Sequence, residues 1–518
     1  MSYAGITRNS VAEGKPPAGE AQKREHKTMA GMESGVDKAT KRRGRLQGCL
    51  SPFIVLKKVA NRRLGGSQRR EGTDRKVEAS EGNTMGATES EIVCTRQGRI
   101  AELAGQEPKF RLLSLNKDLD MDWLREAYRR TRKDGATGVD GETADEYAVE
   151  LETRLEDLKE RAKSGTYHAP PVRRTYIPKG DGRMRPLGIP TFEDKVLQRA
   201  VVMLLEPVYE REFLDCSMGY RPGRSAHTAL EAIWKQTMQL GGCWLIDADI
   251  KGFFDTVAHR ELKEMLNQRV GDGVIRRLVS KWLHAGVWEA GQVTHPETGT
   301  PQGGVISPLL SNIYLHEVLD RWFEEQIKPL LEGGAFMVRY ADDFVMGFKR
   351  QKDAQRVLDV LGKRLAKFGL ELHAGKTRLV DFRPTDKGGE GGSFDFLGLT
   401  HTWQTSRKGR PYVCRQTAKG RFTRALGKIK DYCRETINRP LKEQWEGLKR
   451  RTQGHYQYYG IRGNSNGINR FAYEVHRAWL KSLRRRTGHH AQQWTWERFN
   501  RMLEQMPLPK PRIRMAMA

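Results

Sequence analysis

The chain has 518 residues and a formal net charge of +27, from 91 Lys and Arg against 64 Asp and Glu, so it is too long for one compact domain and strongly basic. No stretch nears the roughly 18 apolar residues of a membrane span, and the N-terminus MSYAGITRNS lacks the charged-then-apolar pattern of a secretory signal. The six scattered cysteines form no CxxC pair, which disfavours a zinc ribbon and a disulfide framework and fits a reducing, cytoplasmic setting.

Residues 1–90 carry 18 basic and 10 acidic groups and 12 glycines, with only Tyr3 and Phe53 as aromatics. So little can be buried there that a basic, disordered N-terminal extension is expected. Ordered structure is expected from about Phe110. MDWLREAYRRT (121–131) has helical spacing, KDGATGVDG (133–141) is a glycine-rich turn, and 142–164 reads as one amphipathic helix. TYIPK and RPLGIP then read as two basic strands around a GDG turn, and Thr191 can cap the helix that follows. Such a hairpin brings Lys179, Arg183 and Arg185 onto one surface, where cations suit a triphosphate.

Two apolar segments carry the chemistry. In CWLIDADI (243–250) alternation marks a strand that puts Asp247 and Asp249 on one face. In FMVRYADDFVMGF (336–348) two strand-like runs flank a tight turn at Ala341, Asp342 and Asp343. Adjacent carboxylates at a buried hairpin tip repel and lose hydration, so they need a compensating charge. Hard oxygen ligands from separate strands suit Mg²⁺, with Mn²⁺ as a substitute. Two such ions, about 3.5–4 Å apart, stabilise the attacking and leaving oxygens of an in-line phosphoryl transfer.

Beyond residue 400 the composition turns basic. Residues 401–518 hold 27 Lys and Arg against 7 Asp and Glu, whereas 91–400 hold 46 against 47. That excess favours a polyanionic partner rather than a membrane. QTAKGRFTRALGKIKDYCRE (416–435) reads as a basic helix with Phe422, Leu426, Ile429 and Cys433 on one side. In 451–488, Tyr456, Tyr458 and Tyr459 can stack bases while Arg462 and Arg470 hold phosphates.

RPLGIPTFEDKVLQ (185–198), GYRPGRSAH (219–227), DIKGFFD (249–255), GTPQGGVISPLLSNIYL (299–315), YADD (340–343), AGKTRLV (374–380) and FLGL (396–399) occur in one order. In that order they resemble the reverse transcriptases encoded by bacterial group II introns. The resemblance implies an α+β right-hand polymerase: fingers and a ferredoxin-like palm over 91–400, then an α-helical thumb or maturase domain over 401–482. Residues 483–518 resemble a short basic DNA-binding tail, and the family's optional HNH endonuclease is expected to be missing. The same resemblance implies Asp249, Asp342 and Asp343 as catalytic metal ligands, helped by the Ile250 carbonyl. Lys179, Arg185, Phe254, Gln302, Gly303 and Lys376 are implied to contact the nucleotide, and Phe254 to exclude a ribose 2′-OH. Arg424, Lys428, Tyr456, Tyr459, Arg462 and Arg470 are implied to bind RNA. Expected partners are intron RNA, template RNA, primer DNA, dNTPs and target DNA. Two other readings stay open: a splicing cofactor with an idle polymerase, and a domesticated enzyme acting in phage defence.

Overall fold

The structure, a computed structural model, describes residues 89–106, 110–178, 184–295, 298–299, 303–385, 392–486 and 494–513. The expected N-terminal extension therefore lies outside the described residues except for Glu89 and Ser90, as do Lys179, Arg183 and Gln302. The chain opens with α1 (Glu89–Gln106), α2 (Met121–Arg130), the short α3 (Ala144–Tyr147) and α4 (Leu151–Ser164). The single helix expected over 142–164 is interrupted. Thr143 and Glu146 form a reciprocal capping box that starts α3, and a 3₁₀ turn at Ala148–Glu150 separates it from α4.

The basic hairpin forms as expected, with β1 (Val172–Pro178) antiparallel to β2 (Met184–Ile189). Thr191 then caps α5 (Phe192–Tyr209), its hydroxyl accepting from the Asp194 amide. α6 (Ala226–Leu240) leads into β3 (Cys243–Asp249), α7 (Phe253–Thr256), α8 (His259–Arg269) and α9 (Gly273–Leu283). β4 (Val287–Glu289) and β5 (Gln292–Thr294) extend the fingers sheet in the order β2-β1-β4-β5. α10 (Ser307–Leu315) runs on through π-helical turns at His316–Asp320 and Trp322–Ile327.

β6 (Ala335–Tyr340), β7 (Asp343–Phe348), α11 (Gln351–Ala366) and β8 (Arg378–Phe382) complete the palm. Its sheet has the order β6-β7-β3-β8, all antiparallel. Taking β3 as the first strand, the order is second, third, first, fourth, with helices in both crossovers, which is the ferredoxin-like arrangement. Both faces of this sheet are covered. Ile246, Ala248, Phe344 and Met346 join the large core shared with the fingers helices. Leu245, Val338 and Val345 pack with Leu230 and Ile233 of α6 on the other side.

β9 (Phe394–Phe396), β10 (Leu399–Thr405) and β11 (Pro411–Thr417) form a three-stranded sheet. The sequence reading did not anticipate it. The boundary expected at 400/401 cuts through β10, and the helix expected from 416 starts later because Gln416 and Thr417 pair with Thr400 and Leu399. The thumb is α12 (Lys419–Glu435), α13 (Leu441–Tyr459) and α14 (Ser465–Leu483), followed by α15 (Trp496–Gln505). Phe499 and Met502 of α15 share a core with Trp479 of α14, and the Trp445 indole donates to the Pro507 carbonyl at 3.1 Å. The segment expected as a separate tail thus packs on the thumb, because its apolar face is buried there. No described helix is long and apolar enough to cross a membrane.

Candidate active site

Asp249 ends β3 and Asp343 begins β7, and the antiparallel register sets the two residues directly opposite each other. By strand alternation both project on the face that carries Leu245 and Val345. The Tyr340–Asp343 pair closes β6 and β7 around a two-residue turn, Ala341–Asp342. Ala341 holds a φ of 60°, a left-handed conformation unusual for a residue with a Cβ. Gly219 is pressed against this turn, since a Cβ there would lie 2.5 Å from the Ala341 nitrogen.

This arrangement disfavours ionisation at Asp342 and Asp343. Burial, followed by the Asp249 charge, pushes Asp342 up from its ordinary value, while Arg185 and Lys376 oppose the shift. Asp343 is raised further, first by the protein crowding around it and then by Asp342 and Asp249. By surface area Asp343 is exposed, because its tip faces an open cleft even though strand atoms thin the water around it. The Lys376 ammonium forms an ion pair with Asp249. Asp247 is held by Arg378 Nε at 3.0 Å, which counters the rise caused by its burial. It lines the same cavity as Asp249 and Asp343, one strand repeat back from Asp249 on β3.

A cavity of about 250 Å³ fronts these groups, lined by Asp247, Asp249, Asp343, Lys376, Arg378 and Asp395. A second of about 450 Å³ continues from Asp343 and Asp395 to Arg421, Arg424, Tyr458 and Tyr459 of the thumb. A cleft therefore runs from the carboxylates to a basic, aromatic wall. The sequence reading had missed Asp395 and Arg421. Arg421 lies three residues before Arg424 on α12, a helical spacing that could have revealed it. Asp395 gave no comparable signal.

The remaining expected residues fall in several places. The bridge between Ile250 and Leu372 uses the Lys251 amide and the Asp249 carbonyl, so the Ile250 carbonyl takes no part in it. Phe253 is buried, whereas Phe254 is half-buried with its ring 5.4 Å from that of Phe253. Gly303 has a φ of 118°, and a Cβ there would sit 2.6 Å from the Gly188 carbonyl oxygen of β2. Only glycine lets this loop rest on the fingers strand. Arg185 is exposed on β2. Arg424 and Lys428 are exposed one helical turn apart, Tyr459 is half-buried, and Arg462 and Arg470 are exposed. Arg470 also covers the Phe422 ring at 5.2 Å. Tyr456 is the correction: it is only 4% exposed and packs edge-on against Phe471 in the thumb core. Its ring fills a helix interface and offers no face to a base.

Among the described residues, no three His, Cys, Asp or Glu side chains are gathered closely enough to hold a metal ion by themselves. The trio is instead an open set, with two carboxylates opposed across paired strands and a third on the adjoining turn. That donor set fits a hard divalent cation which keeps waters and shares its oxygens with a substrate. An antiparallel ferredoxin-like sheet with such a carboxylate set at the end of its two central strands, between a basic hairpin and a basic helical wall, defines a palm-type nucleotide polymerase.

Comparison with known proteins narrows the class. Residues 177–401 match the family model described as "Reverse transcriptase (RNA-dependent DNA polymerase)". The chain is 35% identical over 327 residues to Protein YkfC of Escherichia coli (strain K12), covering 56% of this chain and 84% of that protein. It is 45% identical over 204 residues to the group II intron-encoded protein LtrA of Lactococcus lactis subsp. cremoris, covering 37% of this chain and 33% of LtrA. A putative COX1/OXI3 intron 1 protein of Saccharomyces cerevisiae is 27% identical over 422 residues, or 72% of this chain and 48% of that protein. The chain belongs to the reverse transcriptases, in the group II intron-encoded branch, and is an RNA-directed DNA polymerase.

Proposed function

We propose that this enzyme extends a DNA primer on an RNA template at the Asp249–Asp342–Asp343 site and also serves as the maturase of a group II intron, binding that RNA to promote splicing and mobility. The observation that carries the reading is the direct opposition of Asp249 and Asp343, with Asp342 on the adjoining turn. These carboxylates and the Ile250 carbonyl would hold two Mg²⁺ ions, for which Mn²⁺ could substitute. When bound, the ions supply positive charge to the attacking primer 3′-oxygen and the leaving pyrophosphate.

The chain's own groups do the rest. Arg185, with Lys179, holds the dNTP triphosphate. Gly303, with Gln302, lets the backbone approach the templating pair. Phe254 sits under the sugar and favours deoxynucleotides. Lys376, paired with Asp249 in the free enzyme, turns to the pyrophosphate when a nucleotide enters. Arg424, Lys428, Arg462 and Arg470 hold RNA phosphates, and Tyr459 stacks on a base. The basic segment 483–518 binds target DNA.

Primer extension on poly(rA)/oligo(dT) with Mg²⁺, run beside a splicing assay with the RNA that co-purifies, tests the reading. The expected result is extension by the wild type, lost in Asp342→Ala, with splicing kept by that variant. Splicing help without any wild-type extension would make the protein a splicing cofactor instead.

A further inference from the structure

The most deeply buried charge in the palm lies directly behind the catalytic turn. The Arg339 side chain, on β6, is fully buried, and so is its partner Asp320. All five guanidinium N–H groups are used. Nε donates to Asp320 Oδ1 at 2.7 Å and Nη2 to Asp320 Oδ2 at 2.5 Å. Nη2 also donates to Ser217 Oγ at 2.7 Å, while Nη1 donates to Asn312 Oδ1 at 3.0 Å and to the Ala341 carbonyl at 3.1 Å. Asn312 in turn donates to the Gly219 carbonyl at 2.8 Å, and Gly219 is the residue pressed on Ala341. Asp320 closes a π-helical turn, a local register slip that recurs at functional sites.

Burying an ion pair is a poor way to stabilise a core, because desolvation offsets the attraction. This one is tied to the left-handed Ala341, whose conformation persists only if its surroundings impose it. We propose that Arg339 is a positioning residue for polymerisation: braced by Asp320, it grips the Ala341 carbonyl and so fixes where the next residue, Asp342, presents its carboxylate. The inference rests on the metal-dependent reading of the site.

The test is Mn²⁺ binding to the full chain, followed by electron paramagnetic resonance, beside primer–template affinity and the Mg²⁺ dependence of extension. The double variant Arg339→Met with Asp320→Leu removes both charges together, so neither is left buried alone. Arg339→Lys keeps the charge but cannot span the four partners, and it serves if the double variant does not fold. The expected result is at least ~10-fold weaker Mn²⁺ binding and a matching rise in the Mg²⁺ needed for half-maximal extension, with primer–template affinity within ~2-fold of wild type. A folded variant with wild-type Mn²⁺ affinity and Mg²⁺ dependence would overturn the positioning role alone. Wild type binding no Mn²⁺ would overturn the metal assignment, and the positioning role with it.

Discussion

The acidic edge of the palm and the basic wall of the thumb face one cleft but are built on opposite terms. At the palm edge the candidate site residues work against folding: burial and the neighbouring carboxylates raise the pKa values of Asp342 and Asp343, and Ala341 holds a left-handed backbone. In the thumb the aromatic residues mostly hold the domain together, as the buried Tyr456, Phe471 and Trp479 show, while the charged groups stand outside on α12 and α14. Function and stability are thus in conflict in the palm and separable in the thumb.

The largest expected effect breaks the palm side of this contrast. Asp343→Asn removes one of the opposed charges at constant shape. Extension should fall by at least ~10³-fold, because the carboxylate is needed where charge develops. Stability should move the other way. A carboxyl whose folded pKa is raised adds stability only at low pH and loses it as pH rises through that value. Metal-free wild type should therefore melt below Asp343→Asn at pH 8, and the gap should narrow on acidification, as read by thermal melts across pH.

Next in size is Tyr456→Ala. Removing a buried ring should cost about 3–5 kcal/mol in denaturant unfolding. RNA affinity measured below the unfolding transition should stay near wild type. The paired variant Arg424→Ala with Lys428→Ala should do the reverse. It should bind RNA roughly 10-fold more weakly and flatten the salt dependence by about one unit of slope per lost phosphate contact, at unchanged melting temperature. RNA binding lost by Tyr456→Ala in a folded thumb would blur the separation.

The smallest effect concerns histidines buried without charge. Burial and then the Arg415 charge push His401, stacked on Phe394 at 4.5 Å, down to about 3, and burial alone pushes His455 down to about 4. The unfolded chain binds protons at these histidines below its ordinary value of about 6.5, while the folded chain does not until near 3 to 4. Stability should fall as pH drops from about 6.5 toward those values, and His401→Phe should reduce that fall in denaturant midpoints taken at pH 7 and pH 5.

Much of the palm was legible because its signals are local. Alternation in CWLIDADI and the two runs around Ala341–Asp342 define strands, and paired strands bring distant carboxylates together. The capping threonine at 191 was equally direct. The β10–β11 hairpin was less so: LTHTWQT and PYVCRQT are polar on one face, and their proximity to a basic helical region drew 416–417 into the helix. Tyr456 was misread because stacking rings and core rings have the same composition. Only the phase of α13, set by packing on α14, separates Tyr456 from Tyr459. The Arg339–Asp320 pair was invisible, since residues 19 apart in sequence meet only through the helix that precedes β6.

On the proposed reading Asp249 and Asp343 act together across β3 and β7. Asp249→Asn tests it most directly, by single-nucleotide extension on an RNA template, with melting temperature and RNA affinity measured on the same preparation. A loss of at least ~10³-fold in rate is expected, with both other quantities near wild type. Extension within a few fold of wild type would contradict it.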